Sequence, residues 1–359
     1  MSKRVVVGMS GGVDSAVAAC MLKEQGYEVV GLFMRNWHEK DGSDNCTADE
    51  DYYDVRGVCN RIGIPYYSVD FSKEYYDRVF THFVDEYAKG RTPNPDVLCN
   101  REIKFSSFAS HAKSLGADYI ATGHYAGVRK ADCGNLLIRA KDDNKDQTYF
   151  LNQLKSEQLD NVIFPLCNLD KPAVRAYAAK YGISVADKKD STGICFIGER
   201  NFRNFLSQYI PMKEGVIKDL CGRVVGRHNG VFYYTAGQRR GLGIGGIDGA
   251  GEGKWFVVDK DVKSNVLYVS QGDESMLYKG KVSCPNFNFI SMRPDGPVID
   301  CEVRIRHRQK LQRAKAYVTG NSVEIAFDTP QRAPAIGQYA VLYLGDICLG
   351  GGVIERAYD

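Results

Sequence analysis

Short apolar runs alternate with segments of helical period over the first 210 residues. Lys3 to Gly8 reads as a buried strand, Asp14 to Gln25 as a helix stopped by Gly26, and Val29 to Met34 as a second strand. Helical spacing follows near 49–62 and 73–89, around a strand at Tyr66 to Phe71. A helix from Lys104 to Leu115 and a strand at Tyr119 to Thr122 come next. Strands that are apolar throughout, separated by helices, predict a parallel sheet covered on both faces. Open sheets of that kind bind ligands at the carboxyl ends of their strands.

The texture changes after about residue 211. Short runs at Val231–Tyr234, Trp255–Val258, Val266–Val269, Val303–Ile305, Ala316–Val318, Val323–Ile325 and Ala340–Tyr343 are separated by Gly, Asp or Pro, the spacing of all-β modules. The expected organisation is an α/β domain over 1–210, a small β-rich middle domain over 211–278, and a β-barrel over 279–359.

Composition changes this picture little. With 359 residues, 44% hydrophobic and 25% charged, the chain is ordinary globular protein, not a disordered or fibrous one. Apolar runs such as Val29 to Met34 fall far short of the roughly twenty residues a membrane helix needs, and Met1-Ser2-Lys3-Arg4 opens no secretory or organellar leader. A soluble intracellular protein is expected. The formal charge of +3 is uneven: 27 basic against 28 acidic residues over 1–210, and 20 against 16 beyond. Eleven cysteines without a Cys-x-x-Cys pair argue against a zinc ribbon and against a secreted disulfide framework. No protein-held metal is expected.

Between the first strand and the first helix lies Ser10-Gly11-Gly12-Val13-Asp14-Ser15. Two glycines let the backbone approach an anion, and the helix start aims free N–H groups at it. No Gly-Lys-Ser/Thr follows, so the Walker loop is excluded. The hexapeptide resembles the loop of the ATP pyrophosphatases, which cleave ATP between its α and β phosphates. On the loop alone, GMP synthetase, NAD synthetase, argininosuccinate synthetase and tRNA-thiolating enzymes stay open.

Most cysteines fit core positions: Cys20 and Cys59 at helical spacing, Cys284, Cys301 and Cys348 beside β runs. Two stand apart. Cys99 ends Arg91-Thr92-Pro93-Asn94-Pro95-Asp96-Val97-Leu98-Cys99-Asn100, where two prolines argue against helix or central strand. Cys195 sits in Ser191-Thr192-Gly193-Ile194-Cys195-Phe196, ahead of a helix starting near Asn201. Loops on a rigid scaffold commonly carry chemistry.

Taken with Thr122-Gly123-His124-Tyr125, Lys145-Asp146-Gln147-Thr148-Tyr149-Phe150-Leu151 and Thr235-Ala236-Gly237-Gln238-Arg239-Arg240-Gly241, these segments resemble the tRNA-specific 2-thiouridylase family along nearly the whole chain. The resemblance implies a doubly wound PP-loop domain of the adenine nucleotide hydrolase type. It implies that Gly8, Met9, Ser10, Gly11, Gly12, Val13, Asp14 and Ser15 bind ATP, as its Mg²⁺ complex, with Met34 and Gly123 at the adenosine. Asn94, Pro95 and Asp96 would hold the target uridine, Asp96 acting as acid/base. Cys195 would carry a persulfide and Cys99 would be the second nucleophile, leaving a transient Cys99–Cys195 disulfide. His124, Lys145, Asp146, Gln147, Arg306, His307 and Gln338 match family positions facing tRNA. The implied partners are lysine, glutamate and glutamine tRNAs and a sulfur donor, a cysteine desulfurase or a relay protein, in the cytoplasm.

Independently, Arg304, Arg306 and Arg308 alternate with Val303, Ile305 and His307, with Lys310 and Arg313 after them. Strand period two would put the three arginines on one phosphate-contacting face. The glycines between Gly237 and Gly253 read as a loop able to approach an RNA backbone.

Overall fold

In the computed structural model, which describes residues 2–38, 47–188, 202–244 and 253–359, β1 (Arg4–Met9) is the centre of a parallel sheet. α1 (Val13–Glu24) leads to β2 (Glu28–Arg35), and α2 (Thr47–Ile62) to β3 (Tyr66–Asp70). With β4 (Tyr119–Thr122) and a later strand at Val162–Ile163, the order is β3-β2-β1-β4 and then 162–163, all pairs parallel. Alternate valines serve opposite faces. Val5, Val7 and Met9 pack under α1, α2 and the 171–180 helix, while Val6, Val30 and Leu32 join the aromatic-rich layer of the 72–88 and 95–114 helices. The chain direction of the winding reverses between β1 and β4, which opens a crevice at their carboxyl ends.

Two sequence expectations are corrected here. The Arg91–Asn100 stretch is not all loop: a helix starts at Pro95, passes into a π segment, Cys99–Ser107, kinks at Phe105 (φ −103°, ψ 17°) and continues to Ser114. Proline is tolerated in the first helical turn, where its missing N–H would have no partner anyway. Cys99 therefore stands on a helix. The second correction concerns Val231–Tyr233, a single 3-10 turn rather than a strand. Gly230, at φ 143°, redirects the chain, and Val231, Tyr233 and Tyr234 fill the core shared with the 81–88 helix.

The middle sheet holds strands Gly215–Asp219, Val224–His228, Trp255–Asp261 and Val266–Gln271. The C-terminal sheet is antiparallel and built on strands with one buried face, as in Gln312–Thr319. It recruits a hairpin from the first 210 residues. Gly134–Arg139 pairs with Ile347–Val353 through Ile138↔Ile347 and Leu137↔Cys348, and Ala126–Ala131 follows outside it. The catalytic-type domain and the C-terminal β domain thus share a continuous sheet.

Candidate functional site

The loop after β1 is built by close backbone contacts. Gly11 has φ +73° and a Cβ there would meet the Asp51 carbonyl oxygen at 2.8 Å. Gly12 caps α1 without a side chain, so the first amides of that helix stay unsatisfied by any side-chain cap. Ser15 Oγ donates to the Gly12 carbonyl oxygen (3.1 Å) and accepts from the Ser10 amide (3.2 Å), which fixes the curl. Gly123, at the end of β4, presses on the same helix start: a Cβ on it would lie 2.6 Å from the Ser15 nitrogen. Gly8 faces Met34, Phe108 and Thr122, with the Met34 methyl 3.5 Å from where its Cβ would sit. Gly8, Gly11, Gly12, Ser15, Met34 and Gly123 thus lie together around the start of α1, whereas Met9 and Val13, also expected at the nucleotide, turn their side chains into the core.

Three lysines that the sequence reading missed surround this crevice. Lys171 Nζ lies 2.8 and 2.9 Å from the Asp14 carboxylate oxygens, and the Tyr125 hydroxyl donates to that carboxylate (3.0 Å). Lys188 Nζ donates to the Gly11 carbonyl oxygen (3.3 Å), Asp51 (2.8 Å) and Asp54 (2.5 Å). Lys104 Nζ stands 3.5 Å from His124 Nε2. An ammonium only donates, so Nε2 is the acceptor and His124 Nδ1–H donates to Thr122 Oγ1 (2.7 Å). Burial, reinforced by the Lys104 charge, holds the His124 pKa well below the usual imidazole value. His124 is therefore a neutral, buried ring, 8% exposed, at the floor of the site and not on an RNA-facing surface.

Asp96 shares the 95–114 helix with Lys104. Burial raises its pKa above the ordinary carboxylate value, and the Lys104 charge pulls the other way. A carboxyl in that balance holds its proton more tightly than a solvated one and gives it up more readily when a cation approaches. Asn94 Oδ1 is buried and accepts no hydrogen bond. An amide acceptor left unmade there suits an imide N–H such as that of uracil. Cys99, three residues from Asp96, is 3% exposed and packed in the core under the 72–88 helix. Cys195, and with it the expected Cys99–Cys195 pairing, lies outside the described residues.

The residues expected to face tRNA divide. Asp146 points inward: 1% exposed, it pairs with Arg304 (2.5 Å) and accepts from Thr148 Oγ1 and the Ala140 amide. Arg304 is itself 3% exposed, so the single-faced row of three arginines does not exist. Its strand, Val298–Arg304, ends there, and Arg306 and Arg308 sit in the turn beyond. Arg306 donates to the Arg332 and Ala333 carbonyl oxygens, His307 Nε2–H donates to the Asp146 carbonyl oxygen, and the His307 ring lies 4.3 Å from Phe150. Arg306, Arg308, Lys310 and Arg313 remain exposed. Gln147 accepts from the Tyr125 amide (2.9 Å), and Gln338 donates to the Thr92 and Pro93 carbonyl oxygens. Lys145 is half-buried at the start of this segment.

The cysteines read as core fillers are buried, and burial pushes the thiols of Cys59, Cys284 and Cys301 up to about 12. Among the described residues no cluster of three His, Cys, Asp or Glu could hold a metal, and no helix is long and apolar enough to cross a membrane.

A glycine loop on the central strand of a wound parallel sheet, feeding an uncapped helix start with Gly123 pressed against it, is the arrangement of the ATP-pyrophosphatase class. A family model described as the tRNA methyl transferase HUP domain matches residues 3–199; models described as the tRNA methyl transferase PRC-barrel domain and the aminomethyltransferase β-barrel domain match 203–271 and 269–354. The chain is 55% identical over 358 residues to the tRNA-specific 2-thiouridylase MnmA of Streptococcus mutans, covering 99% of this chain and 96% of that one. It is 56% identical to the same-named protein of Alkaliphilus oremlandii (98% and 97% covered) and 54% to that of Bacillus cytotoxicus (99% and 95%). The chain belongs to the tRNA-specific 2-thiouridylase family.

Proposed function

We propose that this enzyme installs sulfur at C2 of the wobble uridine (position 34) of tRNA, using ATP to activate the base. One observation carries the reading. Lys104, on the same helical run as Asp96, reaches His124, and the neighbouring Gly123 presses on the start of α1 behind the glycine loop. In this reading a base held at Asn94 and Asp96 meets a nucleotide seated at 8–15.

The sequence of steps follows from leaving-group chemistry. The oxygen on C2 of uracil leaves poorly; joining it to AMP, with pyrophosphate released, makes it leave well. The α1 amides and the loop hold the phosphates, with Mg²⁺ carried by ATP, and Asn94 Oδ1 accepts from the uracil N3–H. Asp96 moves the proton at that imide. The outer sulfur of a Cys195 persulfide then attacks C2 and AMP departs. The Cys99 thiolate attacks the Cys195 sulfur, breaks the S–S bond, leaves sulfur on the base and forms the Cys99–Cys195 disulfide, which an external thiol reduces. The burial of Cys99 suits a site that keeps water from the adenylated base, and it requires the site to open for this step.

Exposed Arg306, Arg308, Lys310 and Arg313 would contact tRNA phosphates, beside the Phe150–His307 ring pair. Lysine, glutamate and glutamine tRNAs are the proposed substrates, a cysteine desulfurase or relay protein the sulfur source, and the cytoplasm the site of action. The functional units we take are 1–210, 211–278 and 279–359.

Mass spectrometry of nucleosides from tRNA incubated with the enzyme, ATP and a persulfide donor tests the reading. The expected product is 2-thiouridine, with one pyrophosphate released per sulfur installed. A methylated uridine, or no ATP requirement, overturns it.

A further inference from the structure

The turn 90–94, which delivers the chain into the 95–114 helix, is gripped from both of the later parts of the molecule. From the C-terminal β domain, Glu355 makes a two-pronged ion pair with Arg91 (2.7 and 2.7 Å), whose Nε also lies 2.6 Å from Glu86. The Ile336 carbonyl oxygen accepts from the Thr92 amide (2.8 Å), and Gln338 Nε2 donates to the Thr92 and Pro93 carbonyl oxygens (3.0 and 3.4 Å). Gln338 Oε1 accepts from Asn94 Nδ2 (3.4 Å) and from the Tyr149 hydroxyl (3.3 Å).

The middle domain meets the same turn. Thr235 and Thr92 hydroxyls are 3.2 Å apart, and a Cβ on Gly90 would lie 2.3 Å from a Val262 methyl. Gly337, at φ +94°, could gain no Cβ without meeting the Thr92 nitrogen at 2.9 Å. Two glycines that permit this approach, a bidentate pair and an amide that bonds the Thr92 and Pro93 carbonyls and the Asn94 side chain make a positioning joint, not an incidental contact. Its output is Asn94, and two residues on, Asp96.

We propose that Glu355 and Gln338 are positioning residues of the reaction, acting through Arg91 and the 92–94 backbone to set Asn94, Asp96 and Cys99 against the nucleotide crevice. This rests on the function proposed above. It makes the C-terminal β domain part of the active site's scaffold as well as a surface for RNA. The mechanical part of the inference does not depend on the chemistry, which allows the two to fail separately.

Hydrogen exchange on the free, full-length protein tests the joint directly. In Glu355→Ala and in Gln338→Leu, amides 97–104 should exchange about tenfold faster while those of α1 are unchanged. Pyrophosphate release in a single turnover with saturating tRNA should fall about tenfold or more, with the tRNA Kd changed less than about threefold. Glu355→Asp, which keeps the charge, should recover most of that rate. Unchanged exchange at 97–104, or a rate loss wholly matched by weaker tRNA binding, overturns the inference. Should Glu355→Ala fold poorly, Glu355→Gln is judged by the same two readouts. A wild-type enzyme that releases no pyrophosphate with tRNA contradicts the proposed function, and the exchange result still decides the joint.

Discussion

The two halves of the candidate site are built in different ways. The nucleotide side is local: Gly8, Gly11, Gly12 and Ser15 are ordered by hydrogen bonds inside one hexapeptide and by neighbours on β2, α2 and β4. The side proposed to take the base and the sulfur is assembled from afar, with Asn94, Asp96 and Cys99 following a turn that residues of the middle and C-terminal domains hold. A parallel sheet can pre-form a phosphate cradle alone, because strand end, turn and helix start supply every contact. The turn that carries Asn94, by contrast, takes its contacts from residues more than 140 positions away.

The comparison breaks most sharply at Gly123. Gly123→Val drives a side chain into the start of α1, and displacing the loop by about 1 Å should lower ATP-dependent pyrophosphate release by about 100-fold. Binding of tRNA should be untouched, as gel-shift titration would read; equal loss of both would merge the two halves.

Next in size is the buried pair between Asp146 and Arg304, which ties the 146–151 segment to the C-terminal sheet. Arg304→Met leaves the buried carboxylate only the more distant Arg139 (3.9 Å) as a cation and should destabilise the fold by about 2–4 kcal/mol in urea unfolding. Were stability unchanged, the pair would be no anchor and the outward, RNA-facing reading of Asp146 would return.

The exposed basic turn sharpens the comparison further. Arg308→Ala and Lys310→Ala should each lower the slope of log affinity against log salt by about 1, whereas a variant at Arg304 that still folds should not. A slope insensitive to both exposed residues moves the RNA elsewhere.

The smallest effect separates function from stability at Asp96. Its folded pKa is raised by burial, so the unfolded chain gives up this proton at lower pH than the folded one. Stability is intact below the unfolded value near 3.9 and declines as pH rises through the folded pKa. Asp96→Asn should abolish that decline and melt higher than wild type at neutral pH while losing activity. A variant that melts lower at neutral pH would show the carboxylate to be stabilised, against its acid/base role.

What was legible in the sequence was local. Three successive valines, two glycines and an amphipathic run announce β1, the loop and α1, because each signal lies within the element it specifies. The helix at Pro95 was hidden because proline's veto on helices lapses in the first turn. Lys104 was missed for a related reason: the π segment Cys99–Ser107 widens the turn, so a 3.6-residue period misjudges which side chains share a face with Asp96. Nor could strand period reveal that Arg304 ends its strand inside the protein, since its partner Asp146 is non-local. The 134–139 strand likewise finds its sheet only through Ile347 and Cys348.

Single-turnover chemistry on tRNA, following pyrophosphate and 2-thiouridine together in wild type and Cys99→Ser, tests the central claim most directly. The account predicts that wild type produces both in equal amounts, and that Cys99→Ser, without added thiol, releases pyrophosphate but no free 2-thiouridine, the base staying joined to Cys195 through its sulfur. Formation of 2-thiouridine by Cys99→Ser at the wild-type rate would contradict it.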